Sequence, residues 1–142
     1  MDVPEPGGLP AVLVSDRQTV PVDEPALIAL AQETLRGEGL TDVELSVSFV
    51  DEAEVEDLHV RYMDEPGPTD VLSFPQDDDR LLGDVVICPA VAARNNPDDT
   101  AAEMRLLLVH GILHLLGHDH ENPYEKAAMW AKQERYSGVR AP

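Results

Sequence analysis

The chain is short of cysteine, aromatic residues and basic charge, and each shortage narrows what it can be. A single cysteine, Cys88, among 142 residues excludes an intramolecular disulfide and agrees with a reducing compartment. It lies in an apolar run and reads as a small buried hydrophobe. Aromatics make up 4% of the chain, so any core must be aliphatic. No apolar run reaches the roughly 20 residues of a membrane span, and the longest is broken by His110 and His114. The opening MDVPEPGGLP has neither a basic nor an apolar region and predicts no secretory leader. Ten Lys and Arg against 28 Asp and Glu give a formal net charge of −18. Such a surface favours solubility and lacks the basic footprint usual in nucleic-acid binders. Any nucleic-acid contact must therefore depend on a local positive region.

What is present centres on residues 109–121, VHGILHLLGHDHE. His110 and His114 are four apart, so on a helix they share a face, with Cβ atoms roughly 5–6 Å apart. Two imidazoles so placed can converge on one zinc ion, given a Zn–N bond of about 2.0–2.1 Å. Gly117 offers a left-handed helix stop, after which the chain can turn back and bring in His120. Three histidines with a fourth position open are the donor set of a catalytic zinc site. A single histidine on an apolar helix is ordinarily a core residue; the pair followed by a third beyond a glycine stop favours the metal. The spacing is also that of the metzincin proteases, H-E-x-x-H-x-x-G-x-x-H. Their general-base glutamate is replaced here by Gly111, so the cage is kept without a peptidase base and another reaction is expected.

The length suits one domain, with residues 1–10 a flexible tail, 11–137 the domain and 138–142 a second tail. Ala11–Ser15 reads as a strand. Asp23 caps a helix with Pro25 in its first turn and a stripe of Leu27, Leu30, Ala31, Thr34 and Leu35. Glu38 reads as part of this helix, far from the candidate zinc site. Val43, Leu45, Val47 and Phe49 alternate as in a half-buried strand. Asp51–Glu54 resembles a capping box opening a helix through Val55, Leu58 and Tyr62. Val71–Phe74 and Leu81–Cys88 read as consecutive strands, and Pro89–Arg94 as a helical turn or more. Thr100–Glu103 is a second capping box, opening a helix apolar nearly all round from Leu106 to Leu116, the expected buried centre. Asn122, Pro123 and Glu125 begin a last helix. Elements mixed without a strict βαβα rhythm predict an α+β fold, a small mixed sheet packed against helices.

HGILHLLGHDH resembles the signature of the YbeY family of bacterial endoribonucleases. PTDVLSFP (Pro68–Pro75) and LGDVVIC (Leu82–Cys88) match two further family segments in the same order, over roughly residues 11–137. The resemblance implies a zincin-like α+β domain with a central buried zinc-binding helix. It implies one Zn²⁺ per chain on His110, His114 and His120, and cytoplasmic, zinc-dependent cleavage of single-stranded RNA in 16S rRNA 3′-end maturation and ribosome quality control. Partners would be ribosomal RNA, with small-subunit ribosomal proteins and assembly factors, and no membrane. The alternatives are a zinc hydrolase of another substrate class, such as a peptidase, and a ribosome-assembly factor whose zinc is mainly structural.

No general base is identified. Asp119 is either an acceptor for a ligand histidine N–H or a solvated turn residue. His118 is either a proton shuttle or an exposed turn histidine. Asp84 either helps a proton transfer or ends a strand pairing. His59 reads as an ordinary helix residue. Thr69, Asp70 and Ser73 fall in PTDVLSFP, which the resemblance places along the active-site cleft. At Met63 the family typically has an arginine regarded as important for activity. Arg61 does not substitute, because two residues along a helix point about 200° apart.

Overall fold

The computed structural model describes residues 9–63, 69–76, 78, 80–118 and 122–139, and of Met63 the backbone alone. Most of the predicted tail 1–10, the loop residues 64–68, and Asp119 and His120 lie outside them. In chain order the described elements are β1 (Ala11–Arg17), α1 (Glu24–Gly37), β2 (Glu44–Val50), α2 (Glu52–Met63), β3 (Val71–Pro75), β4 (Leu81–Ile87), α3 (Pro89–Asn95), α4 (Thr100–Leu115) and α5 (Pro123–Ser137).

Local chemistry sets most of these boundaries. Asp23 accepts a hydrogen bond from the Ala26 amide at 3.2 Å, a cap that contributes about 1 kcal/mol. The buried stripe of α1 is Leu27, Leu30, Ala31, Thr34 and Leu35, as the helical spacing predicts. At α2, Asp51 Oδ1 accepts from the Glu54 amide at 2.8 Å. The reciprocal half of that capping box does not form. Glu54 instead takes a forked, charge-assisted bond from Arg17 of β1, 2.6 Å at its shorter arm, which is stronger than a bond to a neutral amide. The cap of α4 also differs from expectation. Asp99, one residue before Thr100, accepts from the Ala102 amide at 3.0 Å, and its charge suits the positive end of the helix.

The four strands form one mixed sheet in the order β1-β2-β4-β3. β1, β2 and β4 are parallel, and β3 returns antiparallel on β4. On one face, Leu45, Val47, Phe49, Val85 and Ile87 pack against α1, α4 and α5. On the other, Val50, Leu72, Val86 and Cys88 meet Val55 of α2 and Val91 of α3. Both faces are therefore covered near the end of β2, which explains why Val50 is as buried as Phe49 although the alternation puts it on the other face. Cys88 is buried, as its apolar surroundings imply.

α4 is the central helix. It packs against both neighbouring helices of its layer and on strands β3 and β4, with Leu107, Leu108, Val109, Ile112 and Leu113 buried. The closest approach is at Gly111. A Cβ there would lie 2.7 Å from Val85 Cγ1, 3.2 Å from Ser73 Oγ and 3.3 Å from Val71 Cγ2. Val85 is fully buried and β-branched, so it cannot step aside cheaply. Glycine at 111 is thus a packing requirement. Gly111→Ala should lower stability by roughly 1–3 kcal/mol, the usual cost of overpacking, read as a lower urea midpoint with unchanged slope. A wild-type midpoint would show that the helix does not sit this close to the sheet.

Candidate functional site

His110 and His114 emerge from α4 on either side of Gly111, one turn apart. Their ring centroids are 4.5 Å apart with planes at 75°. They line a cleft of about 320 Å³ with Val71, Leu72, Ser73 and Pro75 of β3. Ser73 Oγ donates to the Gly111 carbonyl at 3.0 Å, so the strand is tied to the helix between the two histidines. Of Thr69, Asp70 and Ser73, Ser73 lines this cleft and Asp70 an adjoining one.

Gln133 of α5, only 3% exposed, places its Oε1 2.7 Å from His110 Nδ1. An amide oxygen can only accept, so Nδ1 is the donor of this bond, and in the neutral ring the lone pair is on Nε2. That is the tautomer of a metal-ligating histidine oriented through its other nitrogen. The paired imidazoles therefore fit a divalent ion such as zinc. Among the described residues no group of three His, Cys, Asp or Glu side chains converges. The predicted third ligand, His120, lies outside the described residues, as does Asp119. The sequence reading missed Gln133. Its signal was a glutamine four residues after Met129 and four before Ser137, all three buried on one face of α5.

The turn after α4 is built as Gly117 requires. Gly117 has φ 91°. The His118 amide donates to the Leu113 carbonyl and the Gly117 amide to the His114 carbonyl, both at 3.0 Å. This is the paired bonding of a Schellman stop, which reverses the chain with a left-handed residue. His118 then turns inward, with Nε2 3.1 Å from Glu38 Oε1. It is not the exposed turn histidine that was one of its two readings. Glu38 thus meets the turn that leaves α4. Its carboxylate, with the side chain 9% exposed, also receives Lys132 Nζ at 2.7 Å and Tyr136 Oη at 2.6 Å. Burial alone would raise the Glu38 pKa; the donors Lys132, Tyr136 and His118 outweigh it and bring the value from 4.5 down to about 2. Burial, and then the same contact, push Tyr136 up to about 12.

Other candidates fall away from the site. Asp84 alternates with Val85 and so points to the α2 side, lining a separate cleft with Arg17, Ser48 and Tyr62; it cannot serve the histidines in a proton transfer. Arg61 is on the exposed side of α2, 3.3 Å from Asp57. A larger cavity, about 430 Å³, lies between the starts of α1 and α4 and has no His or Cys in its lining.

A cleft whose polar convergence is a histidine pair on a central helix, one ring held by a buried glutamine, defines an α+β protein with an enzyme-like site. A model of the family endoribonuclease YbeY matches residues 13–138, and the chain belongs to that family. It is 48% identical to endoribonuclease YbeY of Thermobifida fusca, over 84% of this chain and 87% of the relative. It is 44% identical to that of Clavibacter michiganensis subsp. michiganensis, over 87% and 90%. The solution structure of TM1509 from Thermotoga maritima superposes with a TM-score of 0.62 at 28% identity, covering 89% of this chain and 86% of that one.

Glu38 gives the pH dependence a sign. A carboxylate with a lower pKa folded than unfolded adds stability above about pH 4.5 and loses it as pH falls toward 2. A shift of this size corresponds to about 3 kcal/mol. In metal-free protein, Glu38→Gln should therefore be less stable than wild type by up to about 3 kcal/mol at pH 7, and the gap should close on acidification to about pH 2. Paired denaturant titrations across pH measure it; a gap that stays constant with pH would refute the ionised cluster.

Proposed function

We propose that the chain is a zinc-dependent, single-strand-specific endoribonuclease acting in 16S rRNA 3′-end maturation and ribosome quality control in the cytoplasm. One Zn²⁺ per chain would be held by His110, His114 and His120, on a zincin-like central helix. The observation that carries the metal is the His110–Gln133 bond, which makes Nδ1 the donor and so, in the neutral ring, puts the lone pair of His110 on Nε2. The family membership carries the substrate. Bound there, zinc supplies Lewis-acid stabilisation of charge on a phosphoryl oxygen and lowers the pKa of its water toward about 7.

The chain's own residues do the rest. Ser73 fixes the edge of β3 against α4, and Gly117 ends α4 in a left-handed stop. Gly111 argues against the peptidase alternative on two counts. It provides no general base, and Val85 leaves no room for a longer side chain at that place. Among the described residues no helix is long and apolar enough to cross a membrane.

Elemental analysis and cleavage assays test this reading together. Wild-type protein should hold one zinc per chain, and His114→Ala should hold far less. Labelled single-stranded RNA should be cut by metal-loaded protein, duplex RNA much more slowly, and chelation should stop both. Undiminished zinc in the variant would sink the ligand assignment, and equal rates on duplex and single strands would sink the substrate class.

A further inference from the structure

A second cleft, about 280 Å³, opens on the other side of His110 from Ser73. It shares Val71 and His110 with the first, so the two are halves of one groove that passes the histidine. Its walls differ in chemistry. Leu106 and Leu107 give an apolar floor, Trp130 an aromatic wall, Asp70 and Glu103 two carboxylates, and Gln133 an amide whose oxygen is taken by His110. We propose that this half is a subsite for one unpaired nucleobase, selecting bases that carry an exocyclic amino group over uracil. The proposal rests on the RNA-cleaving reading above.

The residues support a base more than any other part of an RNA strand. A phosphate would be repelled by Asp70 and Glu103, which at neutral pH only accept hydrogen bonds. Cytosine, adenine and guanine present amino donors that a carboxylate can take; uracil presents one N–H between two carbonyl oxygens. The indole of Trp130 stands edge to face with His110, centroids 6.1 Å apart, next to where the scissile phosphodiester would lie. Sequence-tolerant stacking on such rings is the common way single strands are held. Lys126 Nζ lies 5.5 Å from the Trp130 ring centroid and is exposed. In a chain of net charge −18 it puts a cation beside the ring, where the sugar–phosphate of the bound base would pass. Burial and the neighbouring Asp70 push the Glu103 carboxyl up, as expected of an acceptor that gains from an incoming donor. Asp70 is held by Asn95 Nδ2 at 3.3 Å, which orients one oxygen and leaves the carboxylate acceptor capacity to spare.

Trp130 is the only tryptophan in the chain, so its fluorescence reports on this cleft alone. Zinc-loaded full-length protein would be titrated with single-stranded oligoribonucleotides of roughly six residues, all C, all A or all U. C and A oligomers should quench Trp130 and bind roughly tenfold more tightly than U. Glu103→Gln keeps the shape but replaces an acceptor by a donor, and should bring C and U within about threefold of each other. Asp70→Asn should act in the same direction, so the test does not depend on one variant folding. Quenching with that preference, lost in the variants, supports the subsite. Oligomers that bind and are cut without quenching, or with a base preference the variants leave intact, overturn it and leave the endoribonuclease reading standing. Failure of the wild type to cut any single-stranded RNA removes that reading and the subsite with it.

Discussion

The arrangement depends on how closely α4 lies on the sheet. At Gly111 the helix backbone meets Val85, Val71 and Ser73 with no room for a methyl group. That contact fixes the height of the helix, and Ser73 Oγ on the Gly111 carbonyl fixes its position along β3. His110 and His114 flank this point, so their place relative to the cleft follows from the packing. The same glycine removes the carboxylate that a peptidase with this spacing would use. One residue thus sets the geometry and withholds the peptidase base.

The second support is α5. Its buried stripe of Met129, Gln133 and Ser137 faces α4 and the core. Met129 contributes apolar burial, while Gln133 directs the imidazole of His110. One turn away on the same helix, Lys132 and Tyr136 hold Glu38 at the end of α1, and Glu38 holds His118 in the loop that leaves α4. A buried carboxylate with three donors is satisfied, whereas one left unpaired would be costly. The cluster ties two helices and the loop preceding His120 into one unit.

How far the sequence announced this differs from element to element. The α1 stripe, the Asp23 cap, the consecutive β3–β4 pair and the Gly117 stop were all readable, because each rests on local periodicity or on one residue's backbone preference. The capping boxes were readable only in part, since Glu54 found a stronger partner 37 residues away in Arg17. Asp84 and Gln133 were not assignable at all. A strand residue's face depends on which side of the sheet the helices cover, and a glutamine among alanines and lysines shows no burial until α5 is docked. The histidine pair stood out because its spacing is itself the geometry. The acidic surface pointed away from RNA, and only the docked fold shows the Trp130–Lys126 wall beside His110.

The central claim is that His110 ligates zinc through Nε2 because Gln133 holds its Nδ1 proton. The direct measurement is the long-range ¹⁵N–¹H correlation spectrum of the imidazoles in zinc-loaded, nitrogen-labelled protein. His110 should show a protonated Nδ1 and a metal-shifted Nε2, both changed when the zinc is chelated. A protonated Nε2, or a His110 pattern indifferent to zinc, would contradict the account.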